Sequence, residues 1–323
     1  MKTIKIIKES DVETLNIGGI FSSGSVTALG FFDGVHLAHR ALISKASTIA
    51  KAKNLPLVIF TFMGEENLLK PNSVKLFTDS ERLSLFEECG ADYTVIASFS
   101  AFKNIPKESF VNDFLIRVLN TEVAVCGFNF KFGKNASGNS DELLSLMTKS
   151  NRSVEILDEY LYCGKTLSST YIRELLSKNN FLEAAKLLGR PYFISGKVSH
   201  GMGFGKELGT PTVNTELQAG KFIPTFGVYL TAVKIGSKTY RALSNVGSCP
   251  TFAEREAHIE TYILDFDGNL YGQDVRIYFL AFLREEKKFS SAKELIMQIN
   301  IDKTEALKLS GELKWQDLGL SSQ

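Results

Sequence analysis

The first half of this chain alternates short apolar runs with amphipathic stretches. That alternation restricts it to a parallel sheet covered by helices on both faces. Residues 26–32, 57–62, 93–96, 123–126 and 154–157 read as strands; 38–53, 79–89, 107–119 and 141–149 read as helices. Thr78 and Glu81 stand at capping-box spacing ahead of the second helix. Past residue 191 the pattern changes. Residues 192–199, 227–234, 240–246, 258–266 and 275–283 read as strands, joined by turns such as Asp267-Gly268-Asn269. One helical stretch follows near 291–300, with Ser291 and Glu294 again at capping-box spacing. The expectation is an antiparallel barrel with a terminal helix. Leu187-Leu188-Gly189-Arg190-Pro191 supplies the breaker between the two patterns, so the expected domains are 1–189 and 190–323.

Composition narrows the function. Apolar residues make up 44% and charged residues 23% of 323 residues, an ordinary globular balance. No apolar run approaches the ~20 residues that span a bilayer. Residues 1–11 lack the apolar core of a signal peptide, so the cytoplasm is the expected compartment. Cys89, Cys126, Cys163 and Cys249 are too far apart for a zinc or redox motif and read as reduced thiols. Residues 1–189 carry 21 basic and 21 acidic side chains, and 190–323 carry 16 and 15. Neither half is a basic footprint, which argues against nucleic acid and for small-molecule substrates. No feature of the pattern specifies an oligomeric state.

Three clusters carry chemistry. The first is Gly30-Phe31-Phe32-Asp33-Gly34-Val35-His36-Leu37-Ala38-His39, between a strand and a helix start. Glycine there admits a ligand close to backbone, and the free N–H groups of the helix start suit phosphate. The second is Leu167-Ser168-Ser169-Thr170-Tyr171-Ile172-Arg173, where hydroxyls either cap a helix or bind phosphate beside a forked cation. The third is residues 201–214, with Gly201, Gly203, Gly205, Lys206 and Gly209 ahead of Pro211, Thr212 and Asn214. Backbone N–H groups of such a loop can wrap phosphates. Thr212 and Asn214 alternate in an extended segment, so both face one way, an oxygen pair suited to Mg²⁺. Glu260 shares a strand face with His258 and Tyr262. Pointing into a barrel, it is either ion-paired, for which Arg241, Arg276 and Arg284 are available, or a proton acceptor.

Together these motifs resemble the bacterial bifunctional riboflavin kinase/FMN adenylyltransferases (FAD synthetases) over nearly the whole chain. The 30–39 segment resembles their nucleotidyltransferase signature, and 167–173 their second ATP motif. Gly127-Phe128-Asn129-Phe130-Lys131-Phe132-Gly133 resembles their flavin-side loop. Gly209-Thr210-Pro211-Thr212-Val213-Asn214, Asn245-Val246-Gly247 with Pro250-Thr251-Phe252, Ile259-Glu260 and Leu270-Tyr271-Gly272 resemble their kinase motifs. The resemblance implies a Rossmann-like nucleotidyltransferase domain followed by a riboflavin kinase-like barrel. It implies ATP and Mg²⁺, with riboflavin, FMN and FAD as substrates and products. Glu260, His36 and His39 would be catalytic, and Thr212 and Asn214 would hold the metal. ATP would meet Gly30, Phe32, Asp33, Gly34, Ser168, Ser169, Thr170, Arg173, Gly201, Gly203, Lys206, Gly209, Pro211 and Asn245. Flavin would meet Asn129, Phe130 and Arg284.

Two departures fall in the first domain. Ala38 stands where the family has glycine, and Gly64-Glu65-Glu66 where it has Pro-His-Pro. A carboxylate ~4 Å from a phosphate, at an effective dielectric of about 20, costs on the order of 4 kcal/mol before screening. The alternative expectation is therefore a riboflavin kinase with an impaired adenylyltransferase domain.

Overall fold

The computed structural model describes residues 1–8, 19–64, 74–199, 212–248, 257–266, 268–313 and 315–320. It divides into two compact units, Met1–Ser169 and Thr170–Gln323.

In the first unit, β1 (Lys2–Ile6), β2 (Ser25–Leu29), β3 (Leu57–Phe62), β4 (Tyr93–Ala97), β5 (Thr121–Gly127) and β8 (Ser153–Leu157) form one sheet. Two-residue strands β6 (Lys131–Phe132) and β7 (Gly138–Asn139) make a small ribbon after β5. Strands β9 (Leu161–Tyr162) and β10 (Lys165–Thr166) make another. The main sheet runs β1-β4-β3-β2-β5-β8, and every pair in it is parallel. Helices α1 (Leu37–Lys53), α2 (Asp79–Glu88) and α3 (Ser140–Lys149) make crossovers. The Thr78–Glu81 capping box is present: Thr78 N–H donates to Glu81 Oε2 at 2.8 Å, and Glu81 N–H to Thr78 Oγ1 at 3.2 Å.

From β2 the chain steps to β3 and β4 on one side, then returns to β5 and β8 on the other. The strand order therefore reverses between β2 and β5, and crevices at such reversals, beyond the carboxyl ends, are where ligands bind in open α/β sheets. The 30–39 and 127–133 segments leave from those two ends.

A phenylalanine cluster centred on Phe60 packs one face of this sheet. Its ring lies 5.3, 5.4, 5.8 and 4.9 Å from those of Phe62, Phe102, Phe110 and Phe114. Two details differ from the sequence reading. β1 adds an edge strand, which its mixed Lys–Ile pattern hid. The helix over 107–119 begins as α-helix at Lys107–Ser109 and continues with π-type hydrogen bonds over Phe110–Val118.

In the second unit, β11 (Phe193–Ser199), β12 (Thr212–Thr215), β13 (Gly227–Ile235), β14 (Lys238–Ser248), β15 (Ala257–Ile263) and β16 (Asp274–Arg284) close an antiparallel barrel. Its order is β11-β12-β15-β14-β13-β16, with β16 returning to β11. Hydroxyls of Thr231, Ser244 and Thr261 form a buried chain, 2.9 and 2.8 Å apart. The terminal helix, α6 (Ala292–Glu312), runs well past its expected end. Ser291 Oγ accepts from Glu294 N–H as expected, but the Glu294 carboxylate takes Ser290 rather than closing the box on Ser291.

The division between units falls ahead of the Gly189–Pro191 breaker. Helices α4 (Ser169–Ser177) and α5 (Phe181–Leu188) account for the difference. Phe181 packs on barrel residues, 5.4 Å from the Tyr229 ring and 6.0 Å from that of Phe279. Gly189 still ends α5, in the left-handed conformation at φ 71°.

Phe60→Ala empties the centre of the aromatic cluster. Loss of a buried phenylalanine costs about 3–5 kcal/mol, so denaturant unfolding of the first unit shifts to markedly lower midpoint.

Candidate active sites

The 30–39 turn of the first unit is a strained stretch of backbone. Phe32 and Val35 adopt φ of 52° and 40°. Left-handed backbone is unusual for a bulky residue and is stored where the surroundings over-determine it, often at functional sites. Both side chains are buried. Gly30 is needed for space: a Cβ there would stand 2.7 Å from the Phe32 ring. Asp33 is buried, and its Oδ1 accepts the Leu76 N–H at 2.8 Å. That bond ties the turn to the segment leading into α2.

His36 caps α1, its Nδ1 accepting the His39 N–H at 3.4 Å. An accepting Nδ1 carries no proton, so the neutral ring keeps its proton on Nε2. The two imidazoles stack with centroids 3.6 Å apart, and His39 meets the Phe32 ring edge-on at 5.3 Å. Ala38 lies in the first turn of this helix. The turn also meets the start of the second motif: a Cβ on Gly34 would stand 3.3 Å from Ser169 Oγ. Ser168 precedes α4, Ser169 opens it, and Arg173 Nη2 donates to Thr170 Oγ1 at 3.2 Å further along the same helix.

The 127–133 loop is pinned at its start, through both polar groups of the Phe128 backbone. Phe128 N–H donates to Leu157 O at 2.8 Å, and Ser140 Oγ donates to Phe128 O at 2.9 Å. Its side chains divide. Phe128 and Asn129 are exposed, whereas Phe130 is half-buried and stacks at 5.8 Å on Phe132. Behind the loop, burial pushes the Cys126 thiol up to about 12.

Two residues that sequence reasoning missed, Arg82 and Asp79, support this site. Arg82 is fully buried and donates to the carbonyls of Phe31 and Phe62 (the latter at 3.1 Å) and to Thr61 Oγ1 at 2.6 Å. Asp79 pairs with Arg82 and Lys75 and accepts the Gly64 N–H at 2.8 Å. Their ion pairs are local, but no motif spacing marks their role at the turn, because the carbonyls and amides they hold, from Phe31, Phe62 and Gly64, are brought to them by folding. Glu65 and Glu66 lie outside the described residues.

In the second unit, barrel register builds the site. Asn214 on β12 pairs with Glu260 on β15, and Glu260 pairs with Asn245 on β14. The row continues through Val228 to Arg284. Paired positions share a face of the sheet. That face is opposite the buried one: Ile259, Thr261 and Ile263 are buried, whereas His258, Glu260 and Tyr262 are half-buried. Glu260 therefore points outward from the barrel wall, not into its interior as expected. Thr212 pairs with Tyr262 and joins Asn214 and Glu260 on the outer face. The Thr212 hydroxyl and Asn214 carboxamide offer hard oxygen donors that fit Mg²⁺ shared with phosphate oxygens, with the Glu260 carboxylate on the same face.

Arg284 is not the partner of Glu260. Its Nε and Nη2 reach the buried carboxylate of Asp302 on α6, at 2.9 and 2.8 Å, and its Nη1 reaches Glu285 O. Glu286, also missed from sequence, leans over Gly247, where any Cβ would collide with its Oε1. Gly201, Gly203, Lys206, Gly209 and Pro211 lie outside the described residues, as do Pro250, Thr251 and Phe252.

The FAD synthetase family profile matches residues 20–171 and the riboflavin kinase profile residues 188–310. The bifunctional riboflavin kinase/FMN adenylyltransferase of Bacillus subtilis is 32% identical over 301 residues, covering 90% of this chain and 94% of that protein. The chain belongs to the bifunctional riboflavin kinase/FMN adenylyltransferase family. The Escherichia coli member is 32% identical over 313 residues, covering 93% and 97% of the two chains. A solved structure described as a macrolide-efflux protein from Streptococcus pneumoniae superposes with a TM-score of 0.80 at 30% identity, covering 94% of this chain and 98% of its own.

The two thiols of the first unit's second half differ in reactivity. At pH 8, alkylation followed by mass spectrometry labels the exposed Cys163, while Cys126 is labelled only after unfolding.

Proposed function

We propose that this chain phosphorylates riboflavin to FMN in its C-terminal unit and adenylylates FMN to FAD in its N-terminal unit, using ATP for both. The observation that carries the first step is the register row Asn214–Glu260–Asn245. The ribityl hydroxyl oxygen attacks the γ-phosphorus, the bond to the bridging oxygen breaks, ADP leaves, and Glu260 takes the hydroxyl proton. Asn214 and Asn245 flank Glu260 in the strand register, on the same face of the sheet. Thr212 and Asn214 would hold Mg²⁺, which supplies neutralisation of charge on the β- and γ-phosphate oxygens. Arg284 meets flavin as a guanidinium plane already fixed by Asp302 rather than as a free donor.

In the N-terminal unit an FMN phosphate oxygen attacks the α-phosphorus of ATP and pyrophosphate leaves. The nucleophile is already anionic, so the site needs no base. Positioning and charge stabilisation suffice. His36 offers Nε2–H, and the N-terminus of α1 adds its dipole beside the stacked His39. Gly30, Phe32, Asp33 and Gly34 shape the phosphate cradle. Ser168 and Ser169, in the same unit as this cradle, would complete the grip on the triphosphate, and the family resemblance assigns Thr170 and Arg173 to ATP as well. On the flavin side, the exposed Phe128 and Asn129 are placed to meet isoalloxazine, with Phe130 supporting them from the core. A cytoplasmic setting suits these substrates, and among the described residues no helix is long and apolar enough to cross a membrane.

The test is incubation with riboflavin and Mg·ATP, with the flavins resolved by chromatography. FAD is the expected product. FMN alone would leave a riboflavin kinase with an impaired adenylyltransferase domain, and unchanged riboflavin would end both readings. Glu260→Ala lowers FMN formation by about 10²–10⁴-fold while supplied FMN is still adenylylated. His36→Ala has the opposite signature, with FMN accumulating.

A further inference from the structure

Within the nucleotide turn one apolar side chain is out of place. Leu29, Phe32 and Val35 are at most 1% exposed, whereas Phe31 is 37% exposed. It leaves the carboxyl end of β2, beside the reversal in strand order. Phe31 is nevertheless held at both its ends. Its carbonyl accepts from Arg82 Nη2 and from Thr61 Oγ1, the second at 2.9 Å. Its ring lies on the Arg82 guanidinium, with the Cζ 5.0 Å from the centroid. The cation in turn is locked by Thr61, the Phe62 carbonyl and Asp79.

A buried cation is costly to desolvate, and an apolar side chain of similar volume would fill the same space without that cost. The arrangement is explained if the guanidinium serves to keep the aromatic ring in one orientation at the site. An immobilised, solvent-facing ring loses no rotamer freedom when a second ring stacks on it.

We propose that Phe31 is a stacking platform for a planar heteroaromatic ring of a substrate, adenine or isoalloxazine, and that Arg82 is the positioning residue that fixes it. This rests on the adenylyl-transfer reading of the N-terminal unit. The rival explanation is that Phe31 merely covers Arg82 from water, and leucine separates the two. Phe31→Leu keeps an apolar cover but removes the planar face.

The experiment measures steady-state adenylylation by the full chain, varying FMN and ATP separately, with riboflavin phosphorylation by the same preparation as control. Phe31→Leu raises the KM for one substrate about tenfold, the scale of one lost base–aromatic stack, while kcat stays within about twofold and Phe31→Trp restores the KM. A rise for FMN identifies isoalloxazine, and a rise for ATP identifies adenine. Arg82→Lys keeps the charge but loses the fork, and raises the same KM without adding to Phe31→Leu. Thr61→Val tests the same linkage if Arg82→Lys does not fold. Unchanged KM values in Phe31→Leu overturn the platform. A wild-type chain that makes no FAD overturns the adenylyl-transfer reading instead. In that case calorimetric titration of FMN and of ATP decides: about tenfold weaker binding of one ligand by Phe31→Leu supports the platform, and identical isotherms reject it.

Discussion

Glu260 stands between Asn214 and Asn245 because three barrel strands pair in one register, and a slip of one residue would turn it to the opposite face. Closure of the barrel makes that slip expensive, since every strand is held on both sides and the buried hydroxyl chain through Thr231, Ser244 and Thr261 lies on the other face. Backbone pairing is thus what brings these three positions onto one face. The parallel sheet works by the same constraint. The pairing of β2 with both β3 and β5 sends the 30–39 and 127–133 segments out of adjacent strand ends.

The two candidate sites are built by different means. The barrel site takes its residues from regular strands, where alternation and register decide everything. The 30–39 turn depends on irregular backbone. Phe32 and Val35 hold positive φ, Asp33 spends a carboxylate oxygen on Leu76, and Arg82 gathers carbonyls from two strand ends. Such a turn is stable only because several independent contacts over-determine it.

A structural relative described as a macrolide-efflux protein shares 30% identity and nearly full coverage with this chain. Its fold agrees with the family shown by the curated relatives, and fold alone does not carry function. The match of both family profiles and the full-length bifunctional relatives are what support phosphoryl and adenylyl transfer here. Gly64, the one described residue of the departed Pro-His-Pro position, turns with φ 73° and is anchored to Asp79. The repulsion expected from Glu65 and Glu66 depends on residues beyond that turn.

Much was legible in the residues themselves. Apolar alternation marked the central strands of both units, because a buried strand must present its side chains at period two or as an apolar run. Thr78 with Glu81 was readable because the two cap each other within a few residues, and the shared face of Thr212 and Asn214 because alternation along one strand is local. The edge strand Lys2–Ile6, the length of α6 and the allegiance of α5 to the barrel were not, since each is decided by surfaces met only after folding. Arg82 looked like any charge on an amphipathic helix, and Arg284 like a candidate partner of Glu260 until Asp302 took it. Local spacing determined the order of elements and the chemical types at each motif. Only the tertiary structure decided which way Glu260 points and which carbonyls Arg82 holds. Those facts depend on register and burial between segments far apart in the chain, where no local rule reaches.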